Sequence, residues 1–216
     1  MLSVHGRRPA AVVVEPVAKA LLAVGVAPNV VTVVSAACTI ALAVCLIPAG
    51  HLVWAAVLSG LFAAMDLIDG TMARLRGGGT KFGATLDATC DRITDGALFS
   101  AITWWLIFTY HAPTATIVAA FVVLVASQVI SYVKARGEAS GFTMVGGLIE
   151  RPERLLIGLG GIGLTGLGVP FAIDVAIWAL AFGSVLTVVQ RLVQASRSPY
   201  AGEIVDPPVG SKEAVR

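Results

Sequence analysis

Four aspartates within a stretch of 26 residues are the side chains of this sequence best suited to chemistry. Asp66 and Asp69 are three positions apart, and Asp87 and Asp91 are four positions apart. Residues with these separations share one face of an α-helix, so each pair presents two carboxylates in the same direction. If the two helices form an antiparallel hairpin, both pairs lie near the same end of it.

Four carboxylates gathered in one place repel one another strongly unless cations lie among them. Carboxylate oxygens are hard ligands that suit Mg²⁺ or Mn²⁺, and the sequence therefore predicts a divalent-metal site. Its predicted ligands are Asp66, Asp69, Asp87 and Asp91. The alternative is a structural network in which Arg74 and Arg92 neutralise the same carboxylates.

Small residues accompany the aspartates, namely Gly70, Ala73 and Gly83. Small side chains let a bulky ligand approach the backbone beside a metal, although they also allow tight packing of helices. Arg74 adds a guanidinium group, whose fork of donors suits a phosphate. The pattern is typical of a site for a phosphorylated ligand.

The composition of the chain predicts that a membrane domain positions these side chains. The chain is 57% hydrophobic and 13% charged, whereas soluble domains carry about 25% charged residues. Its uncharged stretches exceed the length of about 18 residues that indicates a membrane span. This composition excludes a soluble enzyme, a disordered scaffold and a nucleic-acid binder.

The predicted fold class is all-α, a polytopic membrane protein with six transmembrane helices and an N-terminal amphipathic interfacial helix. Apolar residues at helical spacing between positions 10 and 24 predict the interfacial helix, and Asn29 is the predicted N-cap of the first span. The predicted spans cover about 29–49, 51–75, 83–109, 113–133, 152–167 and 171–193. We expect a membrane domain over 1–197, with leader and interfacial helix at 1–27, and a disordered tail over 198–216.

The basic residues predict the orientation of these spans. All fifteen lie near the termini, around the connection between spans 2 and 3, or around that between spans 4 and 5. The other three connections carry none, so the positive-inside rule predicts that both termini and the aspartate site are cytoplasmic. We expect a multi-pass protein of the cell membrane.

The aspartate region resembles the signature of the CDP-alcohol phosphotransferase family. The matching residues are Asp66-x-x-Asp69-Gly70-x-x-Ala73-Arg74, then eight residues, then Gly83-x-x-x-Asp87-x-x-x-Asp91. The resemblance implies a six-helix membrane enzyme, a homodimer and two Mg²⁺ or Mn²⁺ ions. It also implies that a hydroxyl acceptor displaces CMP from a CDP-alcohol.

The resemblance further implies roles for single residues. Asp91 acts as the general base as well as a ligand, and the donor is expected to be CDP-diacylglycerol, whose acyl chains stay among the membrane lipids. Donor contacts are expected from the loop residue Thr80 and from the start of span 1. The implied donor-binding residues are Asn29, Val30, Val31, Thr32, Gly70, Ala73, Arg74, Thr80 and Gly83.

Basic residues at the ends of spans 4, 5 and 6 predict an acceptor that carries its own phosphate. A helix that begins at Pro152 beside arginines is typical of a phosphate site, although positive-inside charge is the alternative explanation. The predicted acceptor phosphate-binding residues are Lys134, Arg151, Arg154 and Arg191. The segment 134–154 resembles actinobacterial family members that make phosphatidylinositol phosphate, which favours inositol phosphate.

Two alternatives remain open from the sequence. Glycerol 3-phosphate is the second candidate acceptor, as in phosphatidylglycerophosphate synthesis, and a divalent-cation transporter is the candidate from a different class. Transport sites tend to lie near the membrane midplane within repeated halves, and no repeat of the aspartate motif is present in spans 4–6. Asp95 is expected to support the site by pairing with Arg92 or Lys134.

Overall fold

The computed structural model describes residues 7–204, and side chains from residue 14 onward. Within that range the chain is all-α, and no strand occurs. The eight helices are α1 (Arg7–Ala23), α2 (Pro28–Leu46), α3 (Leu52–Ala63), α4 (Asp66–Leu75), α5 (Lys81–Phe108), α6 (Thr114–Ala139), α7 (Arg151–Gly166) and α8 (Ala172–Ser196). Residues 1–6 of the expected leader and residues 205–216 of the expected tail lie outside the described residues.

Four segments of the described chain are long and apolar enough to cross a membrane by length and composition. They are α2, the segment Leu52–Leu75, α6 and α8. The six predicted spans are therefore supported only in part. Helix α7 has 16 residues, which correspond to about 24 Å, and α5 carries Asp87, Asp91, Arg92 and Asp95 within its length.

The predicted second span is interrupted, because α3 ends at Ala63 and α4 begins at Asp66. Around the break, the Met65 and Leu67 amides bond to carbonyls three positions earlier instead of four. Such tightened turns are a known cause of helix kinks. The break gives Asp66 and Asp69 places in the first turn of a new helix, where the helix dipole favours negative charge.

Helix α1 packs on α4 through a small apolar cluster. Ala18 and Met72 are fully buried there and contact Val31 of α2. Helix α2 begins with Pro28 after Ala27 as its N-cap, and no side chain caps it. The prediction that Asn29 is the N-cap is therefore wrong, because Pro28 already supplies a helical first residue without an amide N–H.

The core of the bundle lies between the long helices. Helix α6 packs mainly on α8, α2 on α5, and α3 on α7. Fully buried side chains such as Leu98, Ile102 and Ile177 fill the centre. Large apolar side chains such as Trp54 and Phe182 are exposed on the outside, as expected of a surface that faces lipid.

Helix α7 is packed closely on three sides through its glycines. A Cβ atom added to Gly161 would lie 2.5 Å from the Cβ of Ala176 on α8. One added to Gly166 would lie 2.8 Å from a methyl of Val53 on α3, and one at Gly158 would lie 3.3 Å from Phe99 on α5. Small residues allow this close approach of helices in membranes.

Candidate active site

The four predicted metal ligands lie together in the described structure. Asp69 is buried and accepts a hydrogen bond of 2.5 Å from the hydroxyl of Thr32 on α2. The charges of Asp66 and Asp87 act on Asp69, and they also act on Asp91. The tertiary fold therefore brings the two pairs into one electrostatic cluster, as their spacing predicts.

Arg151, the first residue of α7, lies between the two aspartate pairs. Its guanidinium group donates to Asp66, and its Nη2 atom lies 2.7 Å from Oδ1 of Asp91. Arg92 also contributes, with Nη1 3.3 Å from Oδ2 of Asp95. Part of the alternative structural network is thus present, but it uses Arg151 rather than Arg74.

The donor set fits divalent cations. Five carboxylates, those of the four predicted ligands and of Asp95, face the three guanidinium groups of Arg92, Arg151 and Arg154. Two negative charges therefore have no cationic partner in this set. Among the described residues, no three His, Cys, Asp or Glu side chains already adopt the geometry of a metal site. The fit rests on the chemistry of the oxygens and on their uncompensated charge.

Three of the predicted donor-binding residues meet where α5 begins. Thr80 is the N-cap of α5, and its hydroxyl accepts a hydrogen bond of 2.9 Å from the amide of Gly83. A Cβ atom at Gly83 would lie 3.1 Å from both Thr80 Oγ1 and Asn29 Oδ1. Glycine at this position therefore keeps the start of α5 close to the start of α2.

The other predicted donor-binding residues differ in what they present. Val31 is buried in the cluster with α1, so its side chain packs inside the protein, whereas the side chain of Val30 is exposed. Arg74 is exposed and donates to the hydroxyl of Thr71 at 2.7 Å. Its Nη1 atom lies 3.5 Å from where a Cβ of Gly70 would be, so Arg74 folds back over that glycine. Ala73, just before Arg74, is partly buried.

Two of the predicted acceptor residues are buried arginines. Arg154 is 1% exposed, and its Nη2 atom lies 2.7 Å from Oδ2 of Asp95. Its Nε and Nη1 atoms have no hydrogen-bond partner in the described structure. Arg191 is 4% exposed, donates to the carbonyl of Ile130 at 2.6 Å and lies 3.4 Å from Glu150. Their charges act on each other, which places them in one region.

The side chain of Lys134 is more exposed than we expect for a residue of a phosphate-binding pocket. Its side chain is 44% exposed, and its amine lies 4.0 Å from Glu138, one turn further along α6. The expected pairing of Asp95 with Arg92 is confirmed at 3.3 Å, whereas Lys134 pairs with Glu138 instead. Lys134 therefore keeps its charge near the surface, paired with a glutamate whose charge also acts on Arg191.

A cleft of about 590 Å³ opens beside Arg191. Its lining includes Gln190 and Gln194 of α8, which hold the loop before α7 by hydrogen bonds to the amide of Leu148 and the carbonyl of Val145. The sequence interpretation missed these glutamines. Two amides four positions apart at the polar end of a span were the only signal of them.

The chain is similar to a known protein family and to curated relatives. A family model described as CDP-alcohol phosphatidyltransferase matches residues 25–189. The chain is 69% identical over 212 residues to the phosphatidylinositol phosphate synthase of Corynebacterium glutamicum. This alignment covers 98% of the chain and 97% of the relative.

Two crystal structures of the phosphatidylinositol phosphate synthase of Mycobacterium tuberculosis have a similar fold. One has CDP-DAG bound, and it is 47% identical with a TM-score of 0.85, covering 90% of this chain and 98% of the other. The second is in complex with manganese and citrate, again at 47% identity and a TM-score of 0.85. It covers 92% of this chain and 96% of the other.

Proposed function

The chain belongs to the CDP-alcohol phosphatidyltransferase family, and on that basis we propose that it transfers the phosphatidyl group of CDP-diacylglycerol to inositol phosphate. The products are phosphatidylinositol phosphate and CMP. The protein is thus an enzyme of phospholipid biosynthesis in the membrane. The buried pair Arg154 and Arg191 carries the choice of a phosphorylated acceptor, and the 69% identity to a phosphatidylinositol phosphate synthase favours inositol phosphate.

The four clustered carboxylates would hold two divalent ions, Mg²⁺ or Mn²⁺. When bound, such ions neutralise the pyrophosphate and stabilise the attacking and leaving oxygens. The two negative charges that the arginines leave without a cationic partner in this cluster support this assignment. Thr32, bonded to Asp69, fixes the orientation of that carboxylate.

Asp91 would act as the general base. An alcohol is a weak nucleophile at neutral pH, so removal of its proton by a positioned carboxylate accelerates attack. The acceptor oxygen attacks the phosphorus that carries diacylglycerol, the bond from that phosphorus to the CMP oxygen breaks, and the proton passes to Asp91. Arg151, 2.7 Å from Asp91 Oδ1, orients the carboxylate.

The donor would lie between the start of α5 and a groove in the lipid-facing surface. Asn29, Thr80 and Gly83 would border the cytidine diphosphate, together with Thr32, Gly70, Ala73 and Arg74, while Val30 and Val31 would contribute through the backbone. An apolar groove of about 690 Å³ runs between α3 and α7, and Asp66 and Arg151 are also part of its lining. This groove would hold the acyl chains, with the diphosphate at its polar end.

The acceptor phosphate would bind Arg154 and Arg191, with Lys134 at the rim and Arg151 toward the reacting centre. Free Nε and Nη1 donors on Arg154 support this, since a phosphate offers the charged acceptors that a buried guanidinium needs. Glycerol 3-phosphate carries the same group and is the second candidate. A transporter is not favoured, because the family transfers phosphatidyl groups.

For the membrane arrangement we propose six spans in a homodimer, with both termini and the active site cytoplasmic. In this topology α3 and α4 together form the second span, α5 the third and α7 the fifth. Helix α1 would lie in the interface, where Val17 and Val24, both exposed, would face lipid. The membrane domain would extend through residue 197.

A CMP-release assay tests the proposed function. The purified protein is given CDP-diacylglycerol and, in separate reactions, inositol phosphate, inositol, glycerol 3-phosphate or serine. We expect the fastest CMP release with inositol phosphate and dependence on Mg²⁺ or Mn²⁺. Faster release with glycerol 3-phosphate would replace the acceptor, and release with none of the four would overturn the proposal.

A further inference from the structure

Asp95 is an acid of α5 that takes no part in the proposed chemistry. It lies one helical turn beyond Asp91 and outside the aspartate signature, and its exposure is 0%. A buried carboxylate is costly unless it is paired. Its partners therefore indicate what it does.

Three guanidinium groups converge on this one carboxylate. Its Oδ2 atom lies 2.7 Å from Nη2 of Arg154 and 3.3 Å from Nη1 of Arg92. Its Oδ1 atom lies 3.7 Å from Nε of Arg151. Two of these arginines come from α7, which lies 56 or more residues further along the chain.

Arg92 is anchored independently on α6, whereas Asp95, together with Asp91, links α5 to the arginines of α7. The Nη1 atom of Arg92 donates to the hydroxyl of Ser131 at 2.5 Å and to the carbonyl of Ser127 at 3.3 Å. The network thus joins α5, α6 and α7 through side chains that are held on both sides. Such a network can restrict the orientation of its side chains as well as neutralise their charges.

We propose that Asp95 is a positioning residue for the phosphorylated acceptor, acting through Arg154 and Arg151. A guanidinium group is planar, so a bond to one of its nitrogens restricts the directions of the others. Asp95 binds Nη2 of Arg154 and thereby sets the direction of the Nε and Nη1 donors of the same group. These two donors have no hydrogen-bond partner among the described residues. This inference rests on the proposed function, because it requires an acceptor phosphate at Arg154.

The test is the kinetics of Asp95→Asn with both substrates. The amide retains the size of the side chain but loses its charge, so Arg154 and Arg151 lose the carboxylate that contacts both of them. Asp66 and Asp91 still hold Arg151 in this variant. We expect the KM for inositol phosphate to rise about ten-fold or more, with the KM for CDP-diacylglycerol within two-fold of wild type. The matched control is Asp174→Asn, which changes another helix-linking carboxylate, bonded to Tyr110 and Thr116, and should leave both KM values unchanged.

A second variant covers the case in which Asp95→Asn does not fold. Asp95→Glu keeps the charge and displaces it by one methylene, and we expect a several-fold rise in the acceptor KM with an unchanged donor KM. A wild-type acceptor KM in this variant, or equal rises of both KM values in either Asp95 variant, would overturn the inference.

Failure of the proposed function can be distinguished from failure of this inference, because it appears in the wild-type enzyme. If wild type prefers glycerol 3-phosphate, the same comparison is made with that acceptor.

Discussion

Two carboxylates of this protein join helices in opposite chemical ways. Asp95 is fully buried and faces three guanidinium groups. Asp174, in the first turn of α8, accepts hydrogen bonds from the neutral hydroxyls of Tyr110 and Thr116 at 2.9 and 3.2 Å. The Asp174 cluster is satisfied by these hydroxyl donors, whereas the Asp95 cluster has an excess of carboxylates and arginine donors without partners.

The difference indicates which region serves folding and which serves a ligand. Hydrogen bonds to neutral hydroxyls join helices at little electrostatic cost. Buried charges in a membrane are expensive and usually mark a functional site. Substitutions in the two regions should therefore affect different measurements, and this can be tested in order of expected effect.

The largest effect is expected from the proposed metal ligands. Asp69→Asn and Asp87→Asn each remove one carboxylate of the cluster, and metal ions contribute several kcal/mol to catalysis of this type. We expect CMP release to fall about 10³-fold or more, with thermal unfolding in detergent close to wild type. Asp174→Asn is the control and should retain activity. Substantial turnover by either variant at saturating Mg²⁺ or Mn²⁺ would contradict a shared metal site.

The next largest effect is expected at Asp91. Loss of general-base assistance costs about 10²-fold or more in rate, so Asp91→Asn should lower kcat by that factor while CDP-diacylglycerol still binds. Equilibrium binding of the donor, measured beside single-turnover rates, separates the two effects. A parallel loss of donor affinity and rate would leave Asp91 as a ligand only.

A smaller effect, confined to one substrate, is expected at the buried arginines. Arg154→Gln and Arg191→Gln would each remove the charge-assisted hydrogen bonds proposed to hold the acceptor phosphate, so the acceptor KM should rise about ten-fold to a hundred-fold. The donor KM should change little. Arg136→Gln, an exposed arginine in the last turn of α6, controls for the loss of positive charge. Identical behaviour of all three variants would exclude a dedicated phosphate pocket.

The smallest effect is expected in the Asp174 cluster. Tyr110→Phe deletes the hydroxyl that donates to Asp174 and should cost about 1 kcal/mol of stability. Thermal unfolding in detergent should show the loss, while the KM values for both substrates stay at wild type. A changed acceptor KM would mean that the two regions are coupled and that the contrast between them fails.

Local spacing was enough to predict the aspartate cluster. Separations of three and four fix which side chains share a helix face, and the small residues around Gly83 marked a close approach that the structure contains. The all-α class followed equally from hydropathy. These features depend on residues that are close together in the sequence, so they can be predicted from it.

The partners of the aspartates could not be predicted in the same way. Arg151 reaches Asp66 from 85 positions away, and the packing of α7 alone decides which carboxylate it meets. The break at Ala64 and Met65 carries no glycine or proline to announce it. The burial of Arg191 and the exposure of Lys134 likewise depend on how α6 and α8 pack, since both residues had the same apparent position at the end of a span.

The glycines of α7 have a consequence for how ligands are admitted. Because Gly158, Gly161 and Gly166 bring the backbone of α7 close to three neighbouring helices, any roll or slide of α7 requires side chains of those helices to move. Arg151 and Arg154, in the first turn of α7, are therefore carried by a closely packed helix. We therefore expect a largely pre-formed acceptor pocket, which selects acceptors by size and shape without closing around them. Adjustment during turnover is then expected from side-chain rotation or from the loop before α7.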